Sequence, residues 1–245
     1  MKKRAFQATY ENEKYYWWYR ARSEILEHVY EKYIQSKDVE ILNLGCGTGL
    51  ISQRFSRFGF VASLDLSSDA LAFCSRNQLD LLIQADMTRL PFHDRSFDVC
   101  LALDVIEHIE DDVQAVAEMA RVLRPDGFVV VTVPAFQWLW SKMDDRSHFR
   151  RYSSERLRLL LVQADLEPLL LTYYNFFLFP LALAQRMVDR LRSKETTSKN
   201  LLPSLSPTIN RMFYSIFKWE KNWIDHLHFP FGLSVFSVAR KKAGN

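Results

Sequence analysis

Short apolar runs alternate with stretches of helical periodicity along most of this chain. Seven runs have the length and composition of buried strands, and apolar positions recur every three to four residues in the segments between them. The runs are Glu40–Leu44, Phe60–Leu64, Leu81–Ala85, Phe97–Asp104, Phe128–Pro134, Leu169–Tyr174 and Leu233–Ala239. Strands that alternate with helices predict an α/β fold with a doubly wound, mostly parallel sheet.

Signals for helix ends fall in the gaps between these runs. A helix is expected from about Leu50, directly after a glycine-rich turn, and another after the capping sequence Ser67-Ser68-Asp69. A third helix, Ile109–Leu123, is expected to end before Pro125, because proline cannot continue a helix. In sheets of this kind the carboxyl ends of the parallel strands meet at one edge, and that edge binds ligands.

The first apolar run leads into a turn that contains Gly45, Gly47 and Gly49. Glycine lets main-chain N–H groups approach a ligand closely, because no Cβ stands between them. A dinucleotide-binding turn has the pattern Gly-x-Gly-x-x-Gly, which would require glycine where this chain has Leu50. The spacing therefore disfavours a nicotinamide oxidoreductase and favours a nucleoside-binding turn of another kind.

Acidic residues close the next three runs. Asp65 lies 20 residues after Gly45, at the tip of the neighbouring strand, where a carboxylate can accept hydrogen bonds from both hydroxyls of a ribose. Asp86 and Met87 end the third run, where they can bind the amino group of adenine and pack on its ring. The fourth run ends in Asp104. Three such acids after a glycine turn indicate a nucleoside site.

With these motifs the chain resembles the class I S-adenosylmethionine (SAM)-dependent methyltransferases over about residues 38–135. It is similar to a bacterial small-molecule branch that begins with an aromatic–arginine helix, here Tyr15–Arg22, and carries a cluster such as His148–Tyr152 after the fifth strand. The resemblance implies SAM as cofactor and a Rossmann-like sheet of seven strands, the last one antiparallel between strands five and six. Two positions depart from the family pattern: Asn43 replaces an acid of the first motif, and Asp126 replaces a glycine before strand five.

The resemblance also implies cofactor-binding residues on the amino-terminal helix and at the strand ends. Arg20 and Arg22 point about 200° apart around a helix, so one of them is expected to face the methionine carboxylate. Arg22 is favoured because it precedes the apolar positions of that helix, and the alternative is a surface arginine. The predicted cofactor-binding residues are Arg22, Gly45, Cys46, Gly47, Gly49, Asp65, Leu66, Asp86, Met87 and Leu103.

Candidates for catalysis are few, because methyl transfer from a sulfonium needs chiefly an aligned nucleophile, with a general base when the acceptor is a hydroxyl. His148 and Tyr152 are predicted to be catalytic, and His108 to line the cofactor pocket or hold a helix start. A histidine among arginines suits an anionic group, although an exposed basic loop would have the same composition. The predicted substrate-binding residues are Trp138, Arg150 and Arg151.

The expected function is O-methylation of a small-molecule or lipid-like acceptor by in-line transfer from SAM. The alternative is an accessory module that binds SAM without methylating. Intact Gly45, Gly47, Gly49, Asp65 and Asp86 argue against lost binding, whereas they leave lost catalysis open.

One domain, residues 1–245, is expected in four parts: a helical lid (1–37), the SAM-binding core (38–174), a helical insertion (175–232) and the last strand (233–241). The insertion mixes aromatic residues with arginine and lysine, and its first apolar stretch, Phe176–Ala184, is far shorter than the roughly 20 residues that span a bilayer. Two interpretations stay open. The insertion is a cap packed on the core, or it forms an acceptor pocket or membrane-surface patch for a lipid-linked substrate.

Composition narrows the remaining choices. With 245 residues, 48% of them apolar, the chain can build one substantial core. A net charge of +3 does not indicate nucleic acid as a partner, and no secretory signal is expected after the basic start. Three cysteines suit reduced thiols in the cytoplasm rather than a disulfide framework or a metal site. The sequence does not indicate an oligomeric state.

Overall fold

The structure, a computed structural model, describes residues 3–77, 79, 81–141, 144, 148–191 and 205–243. The helices in these ranges are α1 (Lys3–Asn12), α2 (Trp17–Tyr33), α3 (Leu50–Phe55), α4 (Ser68–Cys74), α5 (Asp112–Val122), α6 (Ser154–Gln163), α7 (Phe179–Leu191) and α8 (Pro207–Trp219). The strands are β1 (Val39–Leu44), β2 (Gly59–Asp65), β3 (Leu81–Gln84), β4 (Phe97–Leu103), β5 (Leu123–Pro134), β6 (Leu166–Tyr174) and β7 (Ser234–Lys241).

All of these strands join one sheet in the order β3-β2-β1-β4-β5-β7-β6. Neighbours among β1 to β5 pair in parallel, whereas β7 runs antiparallel to both β5 and β6. The predicted seven-stranded, mostly parallel sheet with an antiparallel last strand is confirmed. Its carboxyl edge gathers the ends of β1, β2, β3 and β4, which carry the motifs of the sequence.

Apolar side chains bury both faces of the sheet. On β1, Leu42 packs in one cluster with Val116 of α5, whereas its neighbour Ile41 packs in another with Ile25 of α2 and Phe217 of α8. Successive residues of a strand point to opposite faces, so both must be apolar when helices cover both faces. This explains why the strands appear in the sequence as continuous apolar runs.

Two element boundaries differ from the sequence prediction. The helix expected at Ile109–Leu123 begins three residues later, because the Asp111 side chain caps it by accepting a hydrogen bond from the N–H of Gln114 (2.9 Å). Strand β5 begins before the expected turn, since Leu123 already pairs with Phe97 ahead of a register shift. The turn is therefore a bulge within β5 rather than a boundary.

The segment between β6 and β7 contributes α7 and α8, and α8 packs against α2. The ring of Trp17 lies 5.5 Å from that of Phe213, and the backbone N–H of Trp17 donates to Asn210 Oδ1 at 2.9 Å. The basic residues Arg192 and Lys194 and the polar break at Glu195–Asn200 lie outside the described residues. Among the helices of the described ranges, none is both long and apolar enough to cross a membrane.

Candidate functional site

A cavity of about 690 Å³ opens at the carboxyl edge of the sheet. The ends of β1, β2 and β4 form its floor, and residues of α1, α2 and the segment that joins them form its roof. The volume lies within the range of about 300–1,000 Å³ that is typical of small-molecule sites. All ten predicted cofactor-binding residues except Gly49 line it.

The glycines of the turn after β1 have different tasks. Gly45 has a φ of +63°, and a Cβ there would lie 2.4 Å from Cγ2 of Val105, so this position must stay bare for packing. Gly47 has a φ of +56°, yet a Cβ there would meet no described atom within 4 Å. The bare backbone of Gly47 therefore faces open space in the cavity, where a ligand can lie against it. Gly49 packs on Cys74 below the turn.

Asp65, at the end of β2, is held by the glycine turn itself. Its carboxylate accepts hydrogen bonds from the N–H of Gly47 (2.9 Å) and from the N–H of Ser67 (2.8 Å). Burial raises the pKa of Asp65, against the opposing effect of these two bonds. A carboxylate offers about four acceptor positions, so two remain to bind hydroxyl groups.

Residues after β2, β3 and β4 shape the neighbouring part of the cavity. Leu66 is 68% exposed, Met87 and Leu103 are buried, and all three line the cavity wall. Asp86 is exposed at the same wall and accepts hydrogen bonds from the N–H and hydroxyl of Thr88, both at 2.8 Å. Apolar walls around a lone carboxylate suit a flat, partly polar ring such as adenine.

Cys46 contributes its backbone more than its thiol. Its Sγ lies 3.4 Å from Sγ of Cys74, and this contact, together with burial, raises the pKa of the Cys46 thiol. The protonated thiol packs under the turn, while the N–H of Cys46 donates to the carbonyl of Leu64 (2.9 Å) and fixes the turn to β2. Asn43, where the family has an acid, donates to Ser52 Oγ (2.9 Å).

Arg22 reaches the cavity from α2, whereas Arg20 lies over the ring of Tyr214 at 4.2 Å. The Arg22 guanidinium forms an ion pair with Asp104 (2.7 Å) and donates to Thr132 Oγ1 (3.0 Å). Its Nε is buried and has no hydrogen-bond partner among the described residues. One donor of a cationic group thus stays available to an anion at this end of the cavity.

Glu13, which the sequence analysis missed, lies in the segment between α1 and α2 and is 2% exposed. Its Oε2 accepts a hydrogen bond from Thr48, in the glycine turn, and its Oε1 is buried without a hydrogen-bond partner in the described part of the chain. Burial raises the pKa of Glu13 to about 7, against the lowering effect of Thr48 and Lys14. A buried carboxylate oxygen at the cavity wall is an acceptor for a cationic group.

Beyond β4 the structure brings two histidines together. His108 lines the cavity, and its ring centroid lies 4.6 Å from that of His148. His148 Nδ1 lies 2.7 Å from Asp144 Oδ1, and Arg151 binds the same carboxylate through Nε (2.8 Å) and Nη2 (3.0 Å). Although burial raises it, these bonds hold the pKa of Asp144 well below its ordinary value. Beside His108, burial and the charge of Asp104 raise the pKa of Glu107.

The remaining predicted catalytic and substrate residues do not line the cavity. Tyr152 is fully buried, and its hydroxyl donates to Asp112 (2.8 Å), to which Arg150 is also paired (2.8 Å). The guanidinium of Arg151 is paired with the carboxylate of Asp144. These contacts fix the loop after β5, and the roles expected for Tyr152 in catalysis and for Arg150 and Arg151 in substrate binding stay predictions. Trp138 is half exposed and stacks on Phe136 at 5.4 Å, outside the cavity lining.

Sequence comparisons identify known proteins that are similar to this chain. Residues 42–131 match the family model described as Methyltransferase domain. The chain is 30% identical over 113 residues to a ubiquinone biosynthesis O-methyltransferase of Rickettsia bellii (strain OSU 85-389), covering 44% of this chain and 47% of that protein. It is 32% identical over 122 residues to a malonyl-(acyl-carrier protein) O-methyltransferase of Enterobacter lignolyticus (strain SCF1), covering 46% and 49%. The chain spans about half the length of the curated relatives it matches.

Solved structures extend the likeness to nearly the whole fold. A SAM-dependent methyltransferase from Methanosarcina mazei superposes with a TM-score of 0.58 at 17% identity, covering 88% of this chain and 98% of that one. The 4+2 cyclase SpnF superposes with a TM-score of 0.63 at 19% identity, covering 93% and 83%. At these identities the likeness establishes the fold, which reaches well beyond the matched residues 42–131.

Proposed function

We propose that this chain is a SAM-dependent methyltransferase, and that it transfers the methyl group of SAM to an oxygen atom of a small-molecule or lipid-linked acceptor. The observation that carries the proposal is the single cavity that joins the glycine turn, Asp65, Asp86 and Arg22. Both named relatives are O-methyltransferases, which supports oxygen as the acceptor atom.

The groups that line the cavity have the chemistry that the parts of SAM require. Asp65 would bind the ribose hydroxyls and Asp86 the adenine amino group, with Met87 against the ring. The open face of Gly47 leaves room for the cofactor backbone at the turn. At the other end, the unpartnered Nε of Arg22 would bind the methionine carboxylate.

Glu13 would replace the acid that is missing at Asn43 of the first motif. Asn43 is committed to Ser52, so it offers no charge to the methionine ammonium. The unpartnered Oε1 of Glu13 lies at the same glycine turn, through the bond between Glu13 and Thr48. We assign Glu13 to the ammonium, because a charge-assisted hydrogen bond is the strongest use of a buried carboxylate.

When bound, SAM supplies an electrophilic methyl group on a sulfonium, and the neutral thioether is its leaving group. The chain's own contribution is to align the acceptor and to exclude water. His108 lines the cavity beside Asp104, with the ring of His148 4.6 Å from its own, and an acceptor hydroxyl would lose its proton on this side of the cavity. The loop arginines are paired with Asp112 and Asp144, and their expected contact with a substrate head group stays a prediction.

Calorimetry and product detection test the proposal in two steps. Asp65→Ala should weaken SAM binding by roughly 1–3 kcal/mol, since two ribose hydroxyls lose their acceptor, whereas the exposed Asp126→Ala should bind SAM like the parent. Hydroxylated aromatic compounds and a malonyl thioester, offered with SAM, should yield S-adenosylhomocysteine. Unchanged affinity in Asp65→Ala refutes the site. Tight SAM binding without turnover of any acceptor supports the accessory-module alternative instead.

A further inference from the structure

Three metal-binding side chains converge beside the cavity. Glu107 and His108 lie in the short helical turn after β4, and His148 lies in the loop after β5. One carboxylate oxygen of Glu107 and one ring nitrogen of each histidine lie within 4.8 Å of one another. In a tetrahedral site with bonds of about 2.1 Å, ligand atoms lie about 3.4 Å apart, so the ligand atoms of the three side chains need to approach one another by at most about 1.4 Å.

His148 is oriented as a metal ligand would be. Its Nδ1 lies 2.7 Å from Asp144 Oδ1, and Asp144 is itself held by Arg151 and by the N–H of Ser141 (2.7 Å). With a proton on Nδ1 shared with Asp144, Nε2 carries the lone pair. Metal-binding histidines commonly donate their other N–H to a carboxylate in this way, which fixes the ring and raises its basicity.

The carboxyl group of Glu107 is buried, and one of its oxygens has no hydrogen-bond partner among the described residues. Glu107 is 1% exposed, and its Oε2 is buried without a hydrogen-bond partner among the described residues. Around it, Asp104 pairs with Arg22 and Asp144 pairs with Arg151, so three carboxylates face two guanidinium groups. A cation between Glu107 and the histidines would complete both the hydrogen-bonding and the charge balance.

We propose that Glu107, His108 and His148 bind one divalent first-row transition cation, such as Zn²⁺ or Mn²⁺, at the acceptor side of the cavity. Two imidazoles and one carboxylate favour these ions over Mg²⁺ or Ca²⁺, which prefer oxygen ligands. Three protein ligands leave at least one position open, and His108 places that position at the cavity. The sequence analysis expected no metal site, because no fixed spacing links these residues.

The cation defines an acceptor class, and this step rests on the proposed function. Bound to the open position, a hydroxyl of the acceptor has a lowered pKa and releases its proton to solvent. The resulting oxyanion forms a bond to the methyl carbon as the carbon–sulfur bond breaks, and that electron pair stays on sulfur. An acceptor with a second oxygen next to the hydroxyl, such as a catechol, would chelate the cation and bind best.

Metal binding can be measured on the full chain without SAM or acceptor. Protein stripped with EDTA is titrated with Zn²⁺ by calorimetry and with Co²⁺ by visible absorption, which reports the coordination geometry. One equivalent should bind. His148→Ala and Glu107→Gln should weaken binding more than about 100-fold, and Asp144→Asn about 10- to 100-fold through the loss of orientation. His93→Ala, an exposed histidine outside the cluster, should bind like the parent.

Circular dichroism and SAM binding show whether each variant folds, and His148→Ala serves as the decisive variant because His148 is less buried than Glu107. No stoichiometric binding to the parent overturns the inference, as does parent-like binding by a folded His148→Ala. Methylation that proceeds in EDTA with full SAM affinity would refute the metal site and leave the proposed methyl transfer intact. Absence of SAM binding would refute the proposed function and leave the metal titration interpretable.

Discussion

Replacing Glu13 with glutamine isolates the charge of the buried acid at the glycine turn. In the absence of a cationic ligand, Glu13 holds its proton up to about pH 7, because its pKa lies near 7 rather than at the ordinary 4.5. The folded chain therefore binds one more proton than the unfolded chain between these two values. The contribution of Glu13 to the free energy of unfolding is fully present below about pH 4.5 and is lost as the pH rises through about 7.

The size of both effects follows from the pKa. A change from 4.5 to about 7 corresponds to roughly 3 kcal/mol of unfolding free energy lost above pH 7. SAM binding has the opposite pH dependence, since the methionine ammonium needs the ionised carboxylate. Only a few per cent of Glu13 is ionised at about pH 5.5, so the affinity for SAM should be roughly 20-fold lower there than at about pH 7.5.

Calorimetry across this pH range, with parent and Glu13→Gln, tests the assignment. The variant should lose the pH dependence and bind SAM roughly 10- to 100-fold more weakly at pH 7.5, because one charge-assisted hydrogen bond is gone. Glu220→Gln is the matched control. Glu220 is fully buried, its pKa is raised by burial to about 7, and it binds the N–H groups of Asn175 and Phe177 away from the cavity.

The control variant should change the pH dependence of thermal unfolding while SAM binding stays like the parent's. Glu13→Gln that binds SAM as tightly as the parent, with the same pH dependence, would refute the reasoning. Equal losses of SAM binding in both variants would trace the effect to general destabilisation instead of the ammonium contact.

Two further comparisons separate binding from packing. Gly47→Ala should reduce SAM affinity at least about tenfold, because its Cβ enters the open cavity, and should lower the melting temperature only through the strain of a positive φ. Gly45→Ala should lower the melting temperature more, because its clash with Val105 adds to the same strain. Equal effects of the two glycine variants on SAM binding would contradict this. Arg151→Ala should cost about 3–5 kcal/mol of unfolding free energy, because the buried carboxylate of Asp144 loses its guanidinium partner and keeps only His148 and Ser141, and parent-like thermal melting of this variant would contradict that role.

Local spacing made the fold and the floor of the cavity predictable. The central strands β1 and β4 are buried on both faces, so they appear as continuous apolar runs, and each of Asp65, Asp86 and Asp104 ends or directly follows an apolar run. Parallel pairing then brings those ends to one edge without further information. Glycine spacing added the turn, because a positive φ at Gly45 and Gly47 leaves few other choices of residue.

The contacts in the roof of the cavity and in the loop after β5 were not predictable from local spacing. Glu13 has no motif around it and reaches the cavity only through the packing of α1 and α2. A sequence shows that Arg150 and Arg151 are charged but not that Asp112 and Asp144 are their partners. The aromatic run Tyr15–Tyr19, which begins two residues after Glu13, is the nearest sequence feature that indicates packing around this acid.

The position of β7 has a consequence for how such a chain can acquire new acceptors. Because β7 is antiparallel to β6, the segment between them leaves and re-enters the sheet at the same edge, where Tyr174 pairs with Ser234. The two ends of the segment are thus held side by side, and its helix α8 adds the fully buried Phe217 to the cluster that covers one face of the sheet. Evolution or an engineer can therefore change the connection before α8, whereas α8 itself has to stay for the strands to keep their cover.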